Sequence, residues 1–127
     1  MDLPPLGEVV PLPRIREICL AAGLEVLWAK IDEDTPSQEF RCDGCTYWPD
    51  RWPCGDIYPA CFLHDLKYWA GRPGERAERK AADLALRKAV EGIVGTRVMP
   101  WVMYLGVRLG GGWPYKGRFS WGFGRRA

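Results

Sequence analysis

"CFLHDLKYWAGRPGERAERKAADLALRKAV", residues 61–90, decides the fold. Its opening run to Trp69 and the Ala-, Leu-, Arg- and Lys-rich run after Glu75 both read as helix, and "GRPG" at 71–74 stops the first before the second begins. The expected helices cover about Tyr58 to Trp69 and about Glu75 to Val94, with Gly95 beyond. So short a connection obliges the two to pack as an antiparallel pair. His64, the only histidine of the chain, lies nine residues before a turn centred near 73 (73 − 64), and Asp83 lies ten after it (83 − 73). The two therefore face one another across the hairpin.

Asp83 is out of character where it stands. A helix gains nothing from an aspartate in mid-span, and "KAADLALRKAV" is otherwise rich in Ala and Leu. At about 100° per residue Cys61, His64 and Tyr68 share one side of the first helix, while Asp65 points roughly a quarter-turn away. A carboxylate opposite an imidazole holds the ring in one tautomer and supports the imidazolium formed on proton transfer. The plainer readings are a solvated helix acid for Asp83 and a packed core ring for His64. Asp65, turned off the face of the base, suits a hard cation, which takes carboxylate and backbone carbonyl oxygens. The Pro- and Gly-punctuated stretch from Thr35 to about Pro59 supplies such carbonyls, and Asp43 in "CDGCT" offers a second carboxylate.

A competing chemistry uses the same residues. Cys42, Cys45, Cys61 and His64 spell C-x2-C-x15-C-x2-H, within the spacing of zinc ribbons. That pattern leaves out Cys54 and gives Asp65, Tyr68 and Asp83 no task. Its functional counterpart is a zinc-stabilised nucleic-acid-binding module. Five cysteines in a chain of 127 residues otherwise point to disulfides made outside the cytosol, with an odd thiol left over.

The length fits one domain, residues 1–127, with a core over 40–95 and a basic aromatic extension over 98–127. "LPRIREICLAAGLE" reads as a short helix stopped at Gly23, "LEVLWAKID" as a strand, and a third helix is expected over about 98–109. Charge is unevenly placed. Residues 1–91 carry 12 Lys/Arg against 16 Asp/Glu, net −4, and residues 92–127 carry 6 Lys/Arg and no acid, net +6. Seven of the 16 aromatics fall in that last segment. Such a quarter suits an anionic surface, and the bland reading is a basic tail folded onto an acidic body. No secretion signal stands at the N-terminus, and the longest mostly apolar run, "VMPWVMYLGV", is about half the ~20 residues of a spanning helix.

With these residues in order, "CDGCTYWPDRWPCGDIYPACFLHDLKYW" resembles the calcium loop and catalytic helix of secreted phospholipase A2, most closely the small bacterial and fungal branch. There D-G-C-[ST]-x-x-P-D precedes A-C-x-x-H-D-x-x-Y. The likeness covers residues 43–69 and extends to the helix bearing Asp83. It implies a mostly α fold: an antiparallel two-helix catalytic hairpin with a calcium-binding loop. It implies calcium-dependent hydrolysis of the sn-2 ester of glycerophospholipids at a membrane surface, with His64 as general base, Asp83 orienting it and Tyr68 bonded into the same network. Calcium would be held by Asp65, Asp43 and the carbonyl of Gly44, and Cys45 with Cys61 would form the disulfide clipping loop to helix. A second clip of Cys42 with Cys54 rests on proximity. The chain departs from the family in its extra loop tryptophans, in Ala60 and in the absent secretion signal. The last suggests a protein made in the cytoplasm and acting outside it, released or carried in a particle such as a phage virion or a delivery system. Membrane contact is expected from Trp113, Lys116, Arg118, Trp121, Arg125 and Arg126, with Tyr115 and Phe123 beside them, and no nucleic acid is expected. The alternative is a non-catalytic structural or binding module on the same scaffold.

Overall fold

The computed structural model describes residues 3–5, 7–42, 51–52, 55–72, 74–95, 98–110 and 121–125. Its elements in chain order are β1 (Val9–Val10), α1 (Leu12–Ala21), α2 (Glu25–Glu33), β2 (Phe40–Arg41), β3 (Arg51–Trp52), β4 (Gly55–Asp56), α3 (Tyr58–Ala70), α4 (Arg76–Val94), α5 (Val98–Gly110) and a 3₁₀ turn, Phe123–Arg125. The architecture is mostly helical. Two two-stranded antiparallel ribbons complete it: β1 with β2, where Val10 faces Phe40, and β3 with β4, where Trp52 faces Gly55.

α1 opens on Pro13 in its first turn, where a missing N–H costs nothing, and buries Ile15, Ile18 and Cys19 at i, i+3 and i+4. The stretch expected as a strand is a helix, α2. Leu24, Leu27, Trp28 and Ile31 recur at i, i+3, i+4 and i+7, and this period outweighs the loose alternation around Val26. Ile31 is buried on that stripe, with Leu27 and Trp28 packed beside it, while Val26 projects into solvent.

α3 is the central helix. Nine of its 13 residues are buried, so it has packing partners on most sides. Phe62, Leu66 and Trp69 join Val10, Ile15, Ile18, Ile31 and Phe40 in one apolar cluster. On another side Ala60 and Cys61 meet Leu86 and Val90 of α4 and Met103 of α5. The core thus extends beyond 40–95 in both directions. Helices α3 and α4 form the expected hairpin, and α5 packs back along α4.

The segment 121–125 closes the end of α3. The N–H of Gly122 donates to the Tyr68 carbonyl at 2.7 Å, Trp121 Nε1 to Arg72 O at 2.8 Å and Arg125 Nε to Ala70 O at 3.0 Å. These carbonyls lie at the helix C-terminus and just beyond it, where those of Tyr68 and Arg72 otherwise accept only the turn bonds from Gly71 and Glu75. Two glycines permit the approach: a Cβ on Gly71 would stand 2.3 Å from the Trp121 ring, and one on Gly124 2.4 Å from the Trp69 ring. Trp121, Phe123 and Arg125, expected on the outer surface, are therefore packed inward. Phe123 is 9% exposed, and the Arg125 side chain is 12% exposed and pairs with Asp34 at 3.0 Å. The other expected membrane residues, Trp113, Tyr115, Lys116, Arg118 and Arg126, lie outside the described residues. No helix among the described residues is long and apolar enough to cross a membrane.

Candidate active site

His64 sits midway along α3 and Asp83 midway along α4, and the hairpin brings them together. His64 Nε2 lies 2.7 Å from Asp83 Oδ1. Asp83 is fully buried and His64 nearly so. Tyr68, one turn after His64, donates its hydroxyl to the same Oδ1 at 2.6 Å, and its ring lies 4.4 Å from the imidazole, centroid to centroid. Burial, then the neighbouring Asp83 carboxylate, pushes the Tyr68 hydroxyl far above its ordinary value, so it remains a proton donor at any working pH.

Two arginines complete the network, and neither was among the residues expected from the sequence. Arg108 Nη1, from α5, donates to Asp83 Oδ2 at 3.0 Å. Arg79, from α4, donates Nε to the Tyr68 hydroxyl at 3.2 Å and Nη2 to the Arg108 carbonyl at 2.6 Å. Asp83 thus accepts from an imidazole, a phenol and a guanidinium, a degree of satisfaction that a buried carboxylate requires. Arg108 had a signal. It is the one charged residue of the α5 stretch "VMPWVMYLGVRLG", as Asp83 is the misfit of its own helix.

With Nε2–H directed at a carboxylate, the imidazole carries its lone pair on Nδ1. That is the tautomer a general base needs. Cys61 is disulfide-bonded, so it is no thiolate ligand, and His64 Nε2 is engaged by Asp83. The four-residue zinc arrangement is therefore not formed. The expected partner of Cys61, Cys45, lies outside the described residues. Cys42 carries a thiol, as does the buried Cys19, so the clip of Cys42 with Cys54 is not made.

Asp65 is buried on α3, and the Cys42 thiol approaches its Oδ2 at 3.5 Å. Asp43 and Gly44, the other residues expected to hold calcium, lie outside the described residues. Among the described residues alone, no group of three His, Cys, Asp or Glu side chains is arranged to hold a metal.

No protein-family model matches the chain, and neither a curated protein nor a solved structure does.

Proposed function

We propose that the chain is a calcium-dependent hydrolase of the sn-2 ester of glycerophospholipids, acting at a membrane surface. The observation that carries this reading is the buried His64–Asp83 pair, with the imidazole held by one nitrogen and its other nitrogen left as acceptor. His64 Nδ1 takes a proton from water as the hydroxyl oxygen adds to the ester carbonyl. The tetrahedral intermediate collapses, its C–O bond breaks and the imidazolium returns the proton to the leaving alcohol, giving fatty acid and lysophospholipid. Asp83 positions the ring and offsets its transient charge. Tyr68 and Arg108 position Asp83. Calcium held by Asp65, Asp43 and the Gly44 carbonyl would polarise the ester carbonyl and offset the charge developing on its oxygen.

A second reading has one observation in its favour. Arg108 pairs with Asp83 as in a structural ion pair, and a non-catalytic binding module would keep such a network for its fold. Lipid analysis of ester phospholipid vesicles separates the two. With calcium at roughly millimolar levels, the range of extracellular sites, fatty acid and lysophospholipid should accumulate, and chelator should stop them. His64→Gln should keep its fold and lose nearly all turnover. No product from the folded wild-type chain would leave the binding module standing, and full turnover in His64→Gln would take the general-base role from His64.

A further inference from the structure

The outer face of α5 is largely open to solvent. Val98 is 74% exposed, Trp101 44%, Val102 48% and Leu105 59%, at i, i+3, i+4 and i+7 of one helix. Pro100 and Met103, on the opposite face, are buried. Seven large apolar side chains are exposed among the described residues, and four form this stripe, whereas Leu12, Leu20 and Val26 are scattered. Scattered apolar residues are ordinary, but a continuous stripe marks a contact surface.

Its electrostatic setting is one-sided. α5 carries no acid. Arg87, Lys88 and Glu91 of α4 line a cavity of about 700 Å³ together with Gly92 and Trp101. Two cations against one carboxylate leave it net positive. The Arg87 guanidinium lies over the Trp101 ring at 4.4 Å, one of its terminal nitrogens pairs with Glu91 at 2.7 Å, and its buried Nε finds no acceptor among the described residues.

We infer that this face of α5, with Arg87 and Lys88 on its flank, is the surface by which the protein lies on a bilayer of anionic phospholipid. A tryptophan among aliphatic residues suits the interface, and the flanking cations suit phosphate-bearing headgroups. At 13 residues α5 is about 20 Å long, too short to cross a bilayer and suited to lying in its plane. A second copy of the chain is the poorer occupant, since a twofold contact would set this net-positive patch against its own image, with its one carboxylate, Glu91, already paired with Arg87. Arg108 follows Leu105 by one turn, so the helix that docks also supports Asp83. The assignment rests on the phospholipid-hydrolase reading, but its test needs no turnover.

The test is sedimentation of the full chain with vesicles of diether phosphatidylglycerol or diether phosphatidylcholine, which have no ester to cleave. Binding should favour phosphatidylglycerol at least tenfold, and added salt should shrink the preference. Trp101→Ser with Leu105→Ser should weaken binding to both lipids by roughly tenfold or more. Arg87→Gln with Lys88→Gln should cost roughly tenfold on phosphatidylglycerol and nothing on phosphatidylcholine. Should circular dichroism show the Trp101 and Leu105 pair misfolded, Leu105→Gln alone, at an exposed position, should still weaken both. Wild-type binding by these variants overturns the assignment, as does a dimer that the same substitutions abolish. Binding of diether lipid without hydrolysis of ester lipid sinks the hydrolase reading alone. Hydrolysis of a soluble short-chain ester without vesicle binding sinks the surface alone.

Discussion

α5 and the segment 121–125 belong to the same basic, acid-free, aromatic-rich quarter, yet they turn opposite ways. α5 directs Trp101, Val102 and Leu105 outward, whereas Trp121, Phe123 and Arg125 pack inward on the end of α3. Their composition does not distinguish them. Bonding does. The Ala70 carbonyl takes its donor from Arg125, those of Tyr68 and Arg72 each accept a second bond beside one from the local backbone, and Gly71 and Gly124 leave room for the rings to arrive. α5 makes its own backbone bonds and needs only one apolar face covered. Both regions end on the dyad's supports: α5 through Arg108 on Asp83, and 121–125 through Trp121 packed edge-on against Tyr68 at 5.1 Å.

The largest expected effect lies on the α5 side. Arg108→Gln removes the cation from a fully buried carboxylate, and breaking such a pair costs about 3 kcal/mol of unfolding free energy, near the low end because Arg108 is itself 30% exposed. Arg108→Lys should recover part of this. Urea denaturation measures both, and a loss below about 1 kcal/mol for Arg108→Gln would show that Tyr68 and His64 satisfy Asp83 without it.

What the sequence discloses follows the same division between local and distant causes. The α3–α4 hairpin is legible because helical period and a four-residue stop are local, and the facing of His64 and Asp83 follows from counting residues about the turn. α2 is misread as a strand because its apolar residues satisfy two periods at once over a short run. Arg108 is missed for another reason. Its partner lies 25 residues away on another helix, and the rotation of α5 about its axis is settled only by packing. The same holds for Trp121, whose burial depends on a glycine 50 positions earlier (121 − 71). Arg108 is legible as the lone charge of an apolar helix, and Asp83 as the acid within the Ala- and Leu-rich centre of a helix otherwise well supplied with charge, so two misfits of opposite sign form a pair that sequence reading can propose.

On the other side of the comparison, Gly71→Ala tests whether the close approach of Trp121 is required. The added Cβ would clash with the indole at 2.3 Å, and overpacking of this kind costs about 1–3 kcal/mol. Trp121→Ala removes the ring and its hydrogen bond to Arg72. The double variant Gly71→Ala with Trp121→Ala should then be more stable than the sum of the single losses predicts, since the clash disappears with the ring. Strict additivity in a denaturation cycle would mean that 121–125 does not rest on α3 in solution.

The smallest effect concerns the turn beneath Trp121. Lys30 lies under the indole, 5.6 Å from its centroid, and pairs with Glu75 at the start of α4. Burial tends to raise the Glu75 carboxyl, but the Lys30 ammonium and the Arg72 amide outweigh it, leaving it below the ordinary value of 4.5. A group whose folded value is depressed adds stability above its unfolded value and loses it as pH falls through the folded one. At pH 7 Glu75→Gln should therefore be less stable than wild type by about 0.5–1 kcal/mol, the scale of a partly exposed pair. As pH drops below 4.5 and through the lower folded value, the wild type loses this increment while the glutamine variant, with no proton to take up there, does not. The two stabilities should converge. Denaturation midpoints measured from pH 7 to about pH 3 follow this. A gap that persists undiminished at the acid end would assign the loss to the glutamine's altered hydrogen bonding with Arg72, leaving Lys30 tied to Trp121 alone.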